Sequence, residues 1–159
     1  EVASISIALI QEVNKYNIPC YILTKGILPK ELAKLSKINF YGITYVSYKE
    51  DFKEKYEKYA APLKDRLVSL KYLSDQGCKT WVSVEPYPTP NIINQDLGIL
   101  LNDIAFTNRI VFGRLHYNKV VSLYKEYQVY YNECVKQVVD FCKSKKIDCH
   151  IKKKTVVDI

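Results

Sequence analysis

Five polar side chains stand at the carboxyl ends of four apolar, β-prone segments of this sequence. They belong to Lys25, Ser47, Glu85, Arg114 and His116. Because the carboxyl ends of parallel strands meet at one face of a barrel or sheet, where ligands bind, these side chains predict a single ligand site. Glu85 is the member suited to proton transfer, and Arg114 is the member that needs an anionic partner.

Glu85 is the strongest candidate, because it lies in residues 80–90, where an apolar segment runs into a proline-rich loop. Val82 and Val84 alternate with polar residues up to Glu85, so one side of this strand is aliphatic and the other is polar. Helical patterns on both sides of the segment favour a parallel sheet covered by helices. Two interpretations remain open: Glu85 binds a ligand, or it forms a structural ion pair with a neighbouring lysine or with Arg114.

The other four candidates also have structural interpretations. Lys25 precedes a glycine and is compatible with an exposed turn. Ser47 can cap the segment that follows it. Arg114 lies on the apolar side of its strand, which favours an inward orientation and an ion pair. His116, a lone histidine after a strand, is typical of a hydrogen-bonded structural residue.

Alternating strand-like and helical patterns position these residues. The strand-like segments are residues 18–23, 40–47, 78–85, 109–116 and 149–153. The helical patterns run to Asn17, from Pro29 through Leu35 and from Pro62 to Gly77. Two more follow a cap at Asn94 and extend from Tyr131 to Cys142. Residues 48–59 are predicted to form a loop with a helical turn. This order predicts one α/β domain over residues 1–159, built from βα units.

The formal net charge of +7 permits an anionic partner, nucleic acid included, but does not identify one. Nearly all of the positive charge comes from lysine, whereas phosphate and base recognition favours arginine. The arginines are Arg66, Arg109 and Arg114. No apolar run approaches the roughly 20 residues that span a bilayer, so we expect no membrane partner.

The five cysteines are odd in number and scattered through apolar contexts. They are Cys20, Cys78, Cys134, Cys142 and Cys149. This pattern argues against a disulfide scaffold and favours a reducing, cytoplasmic location. Because no cysteine lies at metal-clip spacing, and the chain has only two histidines, the sequence predicts no metal site of its own.

Several segments together resemble the radical S-adenosylmethionine (SAM) proteins of the spore photoproduct lyase-like group. The segments are residues 18–25, 41–47, the Ala-Pro element and Arg-bearing helix of residues 60–67 with its continuation to Gly77, and the strand and proline-rich loop of residues 80–90. The resemblance extends over most of the chain. It implies a partial TIM-type (βα)6 barrel, of which this chain supplies the later βα units.

The resemblance also implies roles for individual residues. Lys25 is similar to the lysine that contacts the carboxylate of SAM in that group, and Ser47 matches a polar residue near the ribose. Glu85 lies on the strand that lines the adenosine side and is expected to bind ribose hydroxyls or substrate. Arg114 and His116, at the next strand end, are expected to contact the substrate.

The cysteine signature of that group, Cys-x3-Cys-x2-Cys, is missing from these 159 residues. The resemblance therefore implies that the ligands of a four-iron four-sulfur cluster lie upstream of Glu1, and that this chain is a fragment without activity of its own. The intact protein is expected to use the cluster, SAM and an electron donor to generate a 5′-deoxyadenosyl radical that abstracts hydrogen from an unknown substrate, nucleic acid being one option.

Two alternatives come from other functional classes. One is a basic α/β binding module that docks an anionic partner without catalysis, and its binding would depend steeply on salt. The other is a metal-independent hydrolase or lyase that uses Glu85 and Arg114 and turns over in air.

Overall fold

The structure is a computed structural model that describes residues 2–156. Its five strands are β1 (Tyr21–Thr24), β2 (Phe40–Thr44), β3 (Lys79–Tyr87), β4 (Arg109–Arg114) and β5 (Asp148–Ile151). The α-helices are α1 (Val2–Asn14), α2 (Glu50–Tyr56), α3 (Leu63–Asp75), α4 (Leu97–Asp103), α5 (Lys119–Ser122) and α6 (Tyr127–Lys145), and Lys30–Lys34 forms a 3-10 helix.

All five strands are parallel, and their order in the sheet follows their order in the sequence. Helical segments connect successive strands, as parallel pairing requires. The predicted α/β class and its parallel sheet are therefore confirmed. Closure into a barrel stays a prediction.

The hydrophobic core lies between one face of the sheet and the helices. Val82 and Val84 of β3 share an apolar cluster with Leu70 of α3, Leu100 of α4 and Val138 of α6, and all five side chains are fully buried. Burial of each such side chain stabilises the fold by about 1.5–3 kcal/mol. The period-two pattern of β3 thus assigns its aliphatic side to the core, as the sequence predicts, and leaves its polar side on the opposite face.

The structure corrects several predicted element ends. β2 ends at Thr44 and β4 at Arg114, so Ser47 and His116 lie in the loops beyond these strands. β3 runs past Glu85 to Tyr87, because its pairing with β4 resumes after a register shift between Val84 and Tyr87.

Two helical features also differ from the sequence prediction. Asp96, not Asn94, caps α4, because its carboxylate accepts hydrogen bonds from the backbone N–H groups of Gly98 and Ile99. Helix α5 lies between the predicted strand 109–116 and the predicted helix that starts at Tyr131, where no element was expected, and Asn118 caps it. None of the helices within residues 2–156 is long and apolar enough to cross a membrane.

Candidate functional site

The sheet surface opposite the helices carries the side chains that alternate with the core residues. They line a cavity of about 220 Å³ formed by Tyr21, Leu23, Trp81, Ser83, Glu85, Arg109, Val111, His150 and Lys152. We refer to these nine residues as the open face. Tyr21 and Leu23 remain exposed although they are large and apolar. A concave surface with aromatic walls and a few polar groups is typical of a small-molecule site.

Glycines on both neighbouring strands make room for Trp81 and Glu85 of the open face. A Cβ atom at Gly42 of β2 would lie 2.5 Å from the indole ring of Trp81. A Cβ atom at Gly113 of β4 would lie 2.9 Å from the carboxyl group of Glu85. Both side chains of β3 therefore lie across an adjacent strand, which only a residue without a side chain permits at this distance.

Glu85 forms an ion pair with Lys152, with 3.4 Å between Oε2 and Nζ. The side chains are 29% and 47% exposed, respectively, so water screens the attraction and the pair contributes at most about 1 kcal/mol. The carboxylate remains accessible to a ligand. Of the two predicted structural pairings, the one with a neighbouring lysine is confirmed.

The predicted pairing of Glu85 with Arg114 is wrong. Arg114 follows Phe112 on the helix-facing side of β4, whereas Glu85 lies against Gly113 on the open face. Successive side chains of a strand point to opposite faces, and this alternation separates the two residues.

Lys25 belongs to a different cluster of charges, which we name the Glu57 cluster: Lys25, Glu57 and Arg66. Glu57 is 3% exposed and its two carboxylate oxygens contact both cations, at 3.0 Å from Lys25 Nζ and 2.7 Å from Arg66 Nη1. Arg66 is fully buried and also donates to the carbonyl oxygens of Thr44 and Ala61. The cluster therefore joins the chain after β1, the end of β2 and the start of α3.

The side chain of Lys25 is 46% exposed in spite of this ion pair. An ammonium group has three N–H donors, and the contact with Glu57 uses one of them. Lys25 also lines a second cavity of about 190 Å³ beside Pro86 and Leu115, which we name the strand-end cavity. The end of β3 and residues that follow β1 and β4 therefore meet at one edge. The predicted single site is not formed, because Glu85 lines the open face while Arg114 and His116 line a different cavity.

Ser47 is fully buried beyond the end of β2. Its Oγ accepts a hydrogen bond from the backbone N–H of Lys49 at 3.1 Å. This contact forms a local turn before α2, whose N-terminus at Lys49 has no side-chain cap, so Ser47 does not cap the helix that follows it. A contact between Ser47 and a ribose stays a prediction.

Arg114 and His116 line a third cavity, of about 310 Å³, which we name the Arg114 cavity. Arg114 Nε donates a hydrogen bond to His116 Nδ1 at 3.3 Å. Partial burial and the positive charge of Arg114 lower the pKa of His116 below its usual value of 6.5. His116 is therefore neutral at physiological pH.

Glu57 and Arg66 are not among the site residues predicted from the sequence. A signal for Arg66 was present, because it occupies the same helical stripe as Leu63, Leu70 and Leu73 of α3. An arginine at a buried position of such a stripe needs a carboxylate partner. Nothing in the local pattern around Glu57 distinguishes it from the charged residues beside it.

No group of three or more His, Cys, Asp or Glu side chains within residues 2–156 could hold a metal ion. All five cysteines are free thiols, and burial raises the pKa of Cys134 to about 11 and that of Cys142 to about 12. Such thiols are poor metal ligands at neutral pH, because binding requires the thiolate. The described residues therefore do not fit an iron-sulfur cluster.

No protein family model matches the chain, and no curated protein matches its sequence. The structure is similar to a crystal structure of SuiB from Streptococcus suis bound to S-adenosylmethionine, with a TM-score of 0.57 and 14% sequence identity. The match covers 91% of this chain and 33% of SuiB, so the chain spans about a third of that protein's length. This likeness shows that the chain shares the fold of that part of SuiB. The finer resemblance to the spore photoproduct lyase-like group stays a prediction.

Proposed function

We propose that this chain is the SAM-binding part of a radical SAM enzyme, and that SAM occupies the open face and the strand-end cavity. The observation that carries the proposal is the fold: 91% of the chain matches a structure that is bound to SAM. The open face adds support from the chain's own residues, since it combines flat apolar walls with an accessible carboxylate at the centre of the sheet.

The residues of the open face fit the chemistry of the nucleoside half of SAM. Trp81 and Tyr21 offer aromatic surface for an adenine ring. Glu85 can accept hydrogen bonds from both hydroxyls of a ribose, since a carboxylate has two acceptor oxygens. Gly42 and Gly113 leave the space that Trp81 and Glu85 occupy.

Lys25 fits the methionine half of SAM. Its ammonium group keeps two N–H donors free of the Glu57 contact and can bind a carboxylate at the edge of the sheet. Glu57, which is itself held by Arg66, pairs with Lys25, so the lysine is oriented before a ligand arrives. In this proposal Lys25 is a binding residue, and Glu57 is a positioning residue.

SAM reduced at an iron-sulfur cluster is a source of a carbon-centred radical that abstracts hydrogen from a substrate. The described residues hold no set of cluster ligands, so the proposal assigns cluster binding to residues outside this chain. The contribution of this chain is to bind and orient SAM and to exclude water from it with Leu23, Trp81 and Val111. An electron donor and a substrate are further partners that the proposal requires.

Equilibrium dialysis of labelled SAM against the 159-residue chain tests the proposal. The wild-type chain should bind SAM saturably, and Glu85→Gln should weaken the affinity about tenfold, because it removes a charged acceptor. Glu12→Gln is the matched control, since it also removes the carboxylate of a Glu–Lys pair but lies on α1. Absence of saturable binding, or equal affinities of the two variants, would overturn the proposal.

A further inference from the structure

The Arg114 cavity has an unusual electrostatic character. The residues that line it are Arg114, Leu115, His116, Tyr117, Asn118, Val121, Ser122, Tyr127 and Lys154. Two of them are cations, one is a histidine and four carry hydroxyl or amide groups, whereas none is a carboxylate. A concave surface with this composition attracts anions.

Arg114 supplies the second observation. Its Nη1 atom is buried and has no hydrogen-bond partner among residues 2–156. The Nε atom of the same side chain already donates to His116, which fixes the orientation of the guanidinium group. Because water does not reach Nη1, this atom does not face the cavity, and the part of Arg114 that lines the cavity is oriented by the contact with His116.

His116 is oriented by the same contact. Because its Nδ1 accepts the hydrogen bond from Arg114, the proton of the neutral ring resides on Nε2. The low pKa of His116, which results from burial and from the charge of Arg114, keeps this ring neutral at pH 7. Glu85 and Lys154 also act on the ring electrostatically, with opposite signs. The cavity thus contains a neutral N–H donor beside two cationic donors.

We propose that the Arg114 cavity binds a phosphate group, with Arg114, His116 and Lys154 as its principal donors. A phosphate has several acceptor oxygens that point in different directions, and it matches a set of donors that arrive from β4, the loop after it and the segment after β5. The cavity of about 310 Å³ is large compared with the roughly 30 Å³ that a water molecule occupies in the liquid, so it has room for the group.

This inference deepens the proposed function, because the cavity opens at the same strand ends and would take the phosphate of the substrate. It rests on the proposed function only for that assignment. The binding of phosphate itself depends on the Arg114 cavity alone and is measured separately from the binding of SAM.

The arginine Nε–Hε region of a ¹H–¹⁵N NMR spectrum provides the test, since the chain has three arginines. Inorganic phosphate is titrated into the wild-type chain at constant ionic strength. We expect the Arg114 signal to shift saturably while the signals of Arg66, buried in the Glu57 cluster, and Arg109, paired with Asp148, stay in place. Equal shifts of Arg109 and Arg114, or no shift of Arg114, would overturn the proposal.

Two lysine variants make the test specific. Lys154→Ala should weaken phosphate binding about fivefold, because it removes one partly solvated charge from the cavity. Lys153→Ala is the matched control, since it is the adjacent exposed lysine and does not line the cavity. Equal effects of both variants would indicate general electrostatic attraction and would contradict a site.

Acetate is the competing probe. If acetate shifts the Arg114 signal at the same concentrations as phosphate, the cavity takes any small anion, and the assignment to phosphate is wrong. If phosphate produces no saturable shift while dialysis still shows SAM binding, the further inference fails and the proposed function stands. If SAM does not bind while phosphate still produces a saturable shift, the proposed function fails and the phosphate site stands.

Discussion

Two glutamates near the carboxyl edge of the same sheet have opposite environments. Glu57 is 3% exposed and contacts two cations, one of which is fully buried. Glu85 is 29% exposed and contacts one lysine that is itself half exposed. The first carboxylate holds three segments of the chain together, whereas the second contributes little to the fold and remains free to bind a ligand.

This difference in burial shows that polar residues at strand ends can have either a structural role or a ligand-binding role. Sequence position groups Lys25 with Glu85, yet Lys25 is anchored through Glu57 to the core and Glu85 lies on the open face. Burial decides between the classes: an ion pair in water is worth at most about 1 kcal/mol, while disrupting a buried one leaves a charge without a partner. Stability measurements and binding measurements should therefore separate the two glutamates.

The largest effect is expected for Glu57→Leu. This change leaves the buried guanidinium of Arg66 without its carboxylate and should lower the free energy of unfolding by about 3–5 kcal/mol. That is a large share of the roughly 5–15 kcal/mol that stabilises a typical domain. Urea denaturation followed by circular dichroism measures the change. A loss below about 1 kcal/mol would remove the distinction between the two glutamates.

Gly42→Ala should have the next largest effect. The new Cβ would lie 2.5 Å from the Trp81 indole, so the ring or the strand must shift, at a cost of about 1–3 kcal/mol. Trp81 is the one tryptophan of the chain, and its fluorescence emission should change with it.

Gly113→Ala is the matched variant for this test. Its Cβ meets the flexible end of Glu85, so it should cost less stability and leave the Trp81 emission nearly unchanged. Identical emission spectra of wild type and Gly42→Ala would contradict the close packing of Trp81 on β2.

Glu85→Gln should behave in the opposite way to Glu57→Leu, with a small effect on stability and a larger effect on SAM binding. Because the Glu85–Lys152 pair is partly exposed, the substitution should change the free energy of unfolding by no more than about 1 kcal/mol. The same variant should lose most of its SAM affinity, as proposed above. A large loss of stability would mean that Glu85 is a structural residue like Glu57.

The smallest effect concerns His116. Burial and the charge of Arg114 lower its pKa in the folded chain, so the folded state binds fewer protons than the unfolded state just below pH 6.5. The contribution of His116 to stability is therefore retained above pH 6.5 and decreases as the pH falls below that value.

An NMR titration of the His116 ring measures this pKa directly. Arg114→Ala should raise it, because the substitution removes a neighbouring positive charge. An unchanged or lower pKa in the variant would show that Arg114 does not act on the ring.

The periodic features of the chain could be predicted from the sequence. The alternation of Val82 and Val84 with polar residues located β3 and its core face, and the leucines of α3 located its buried stripe. These patterns follow from the local geometry of helices and strands, so they can be recognised without knowing how the elements pack together. The parallel α/β class followed from the order of strand-like and helical segments.

Contacts between distant segments could not be predicted in this way. Glu57 and Arg66 are nine positions apart and meet because α2 and α3 pack at the same edge of the sheet. Glu85 of β3 and Lys152, which follows β5, pair across β4, so this contact depends on the order of the strands in the sheet. Pairing partners depend on three-dimensional packing, and a sequence pattern indicates only that a partner is needed.

The most direct test of the central claim, that SAM binds on the open face, is a fluorescence titration of Trp81 with SAM. Trp81 lines the open face and is the one tryptophan of the chain, so its emission reports on this surface alone. The account predicts a saturable change in emission whose midpoint matches the Kd from dialysis and moves to higher SAM concentration in Glu85→Gln. Saturable SAM binding by dialysis with no change in Trp81 emission would contradict it.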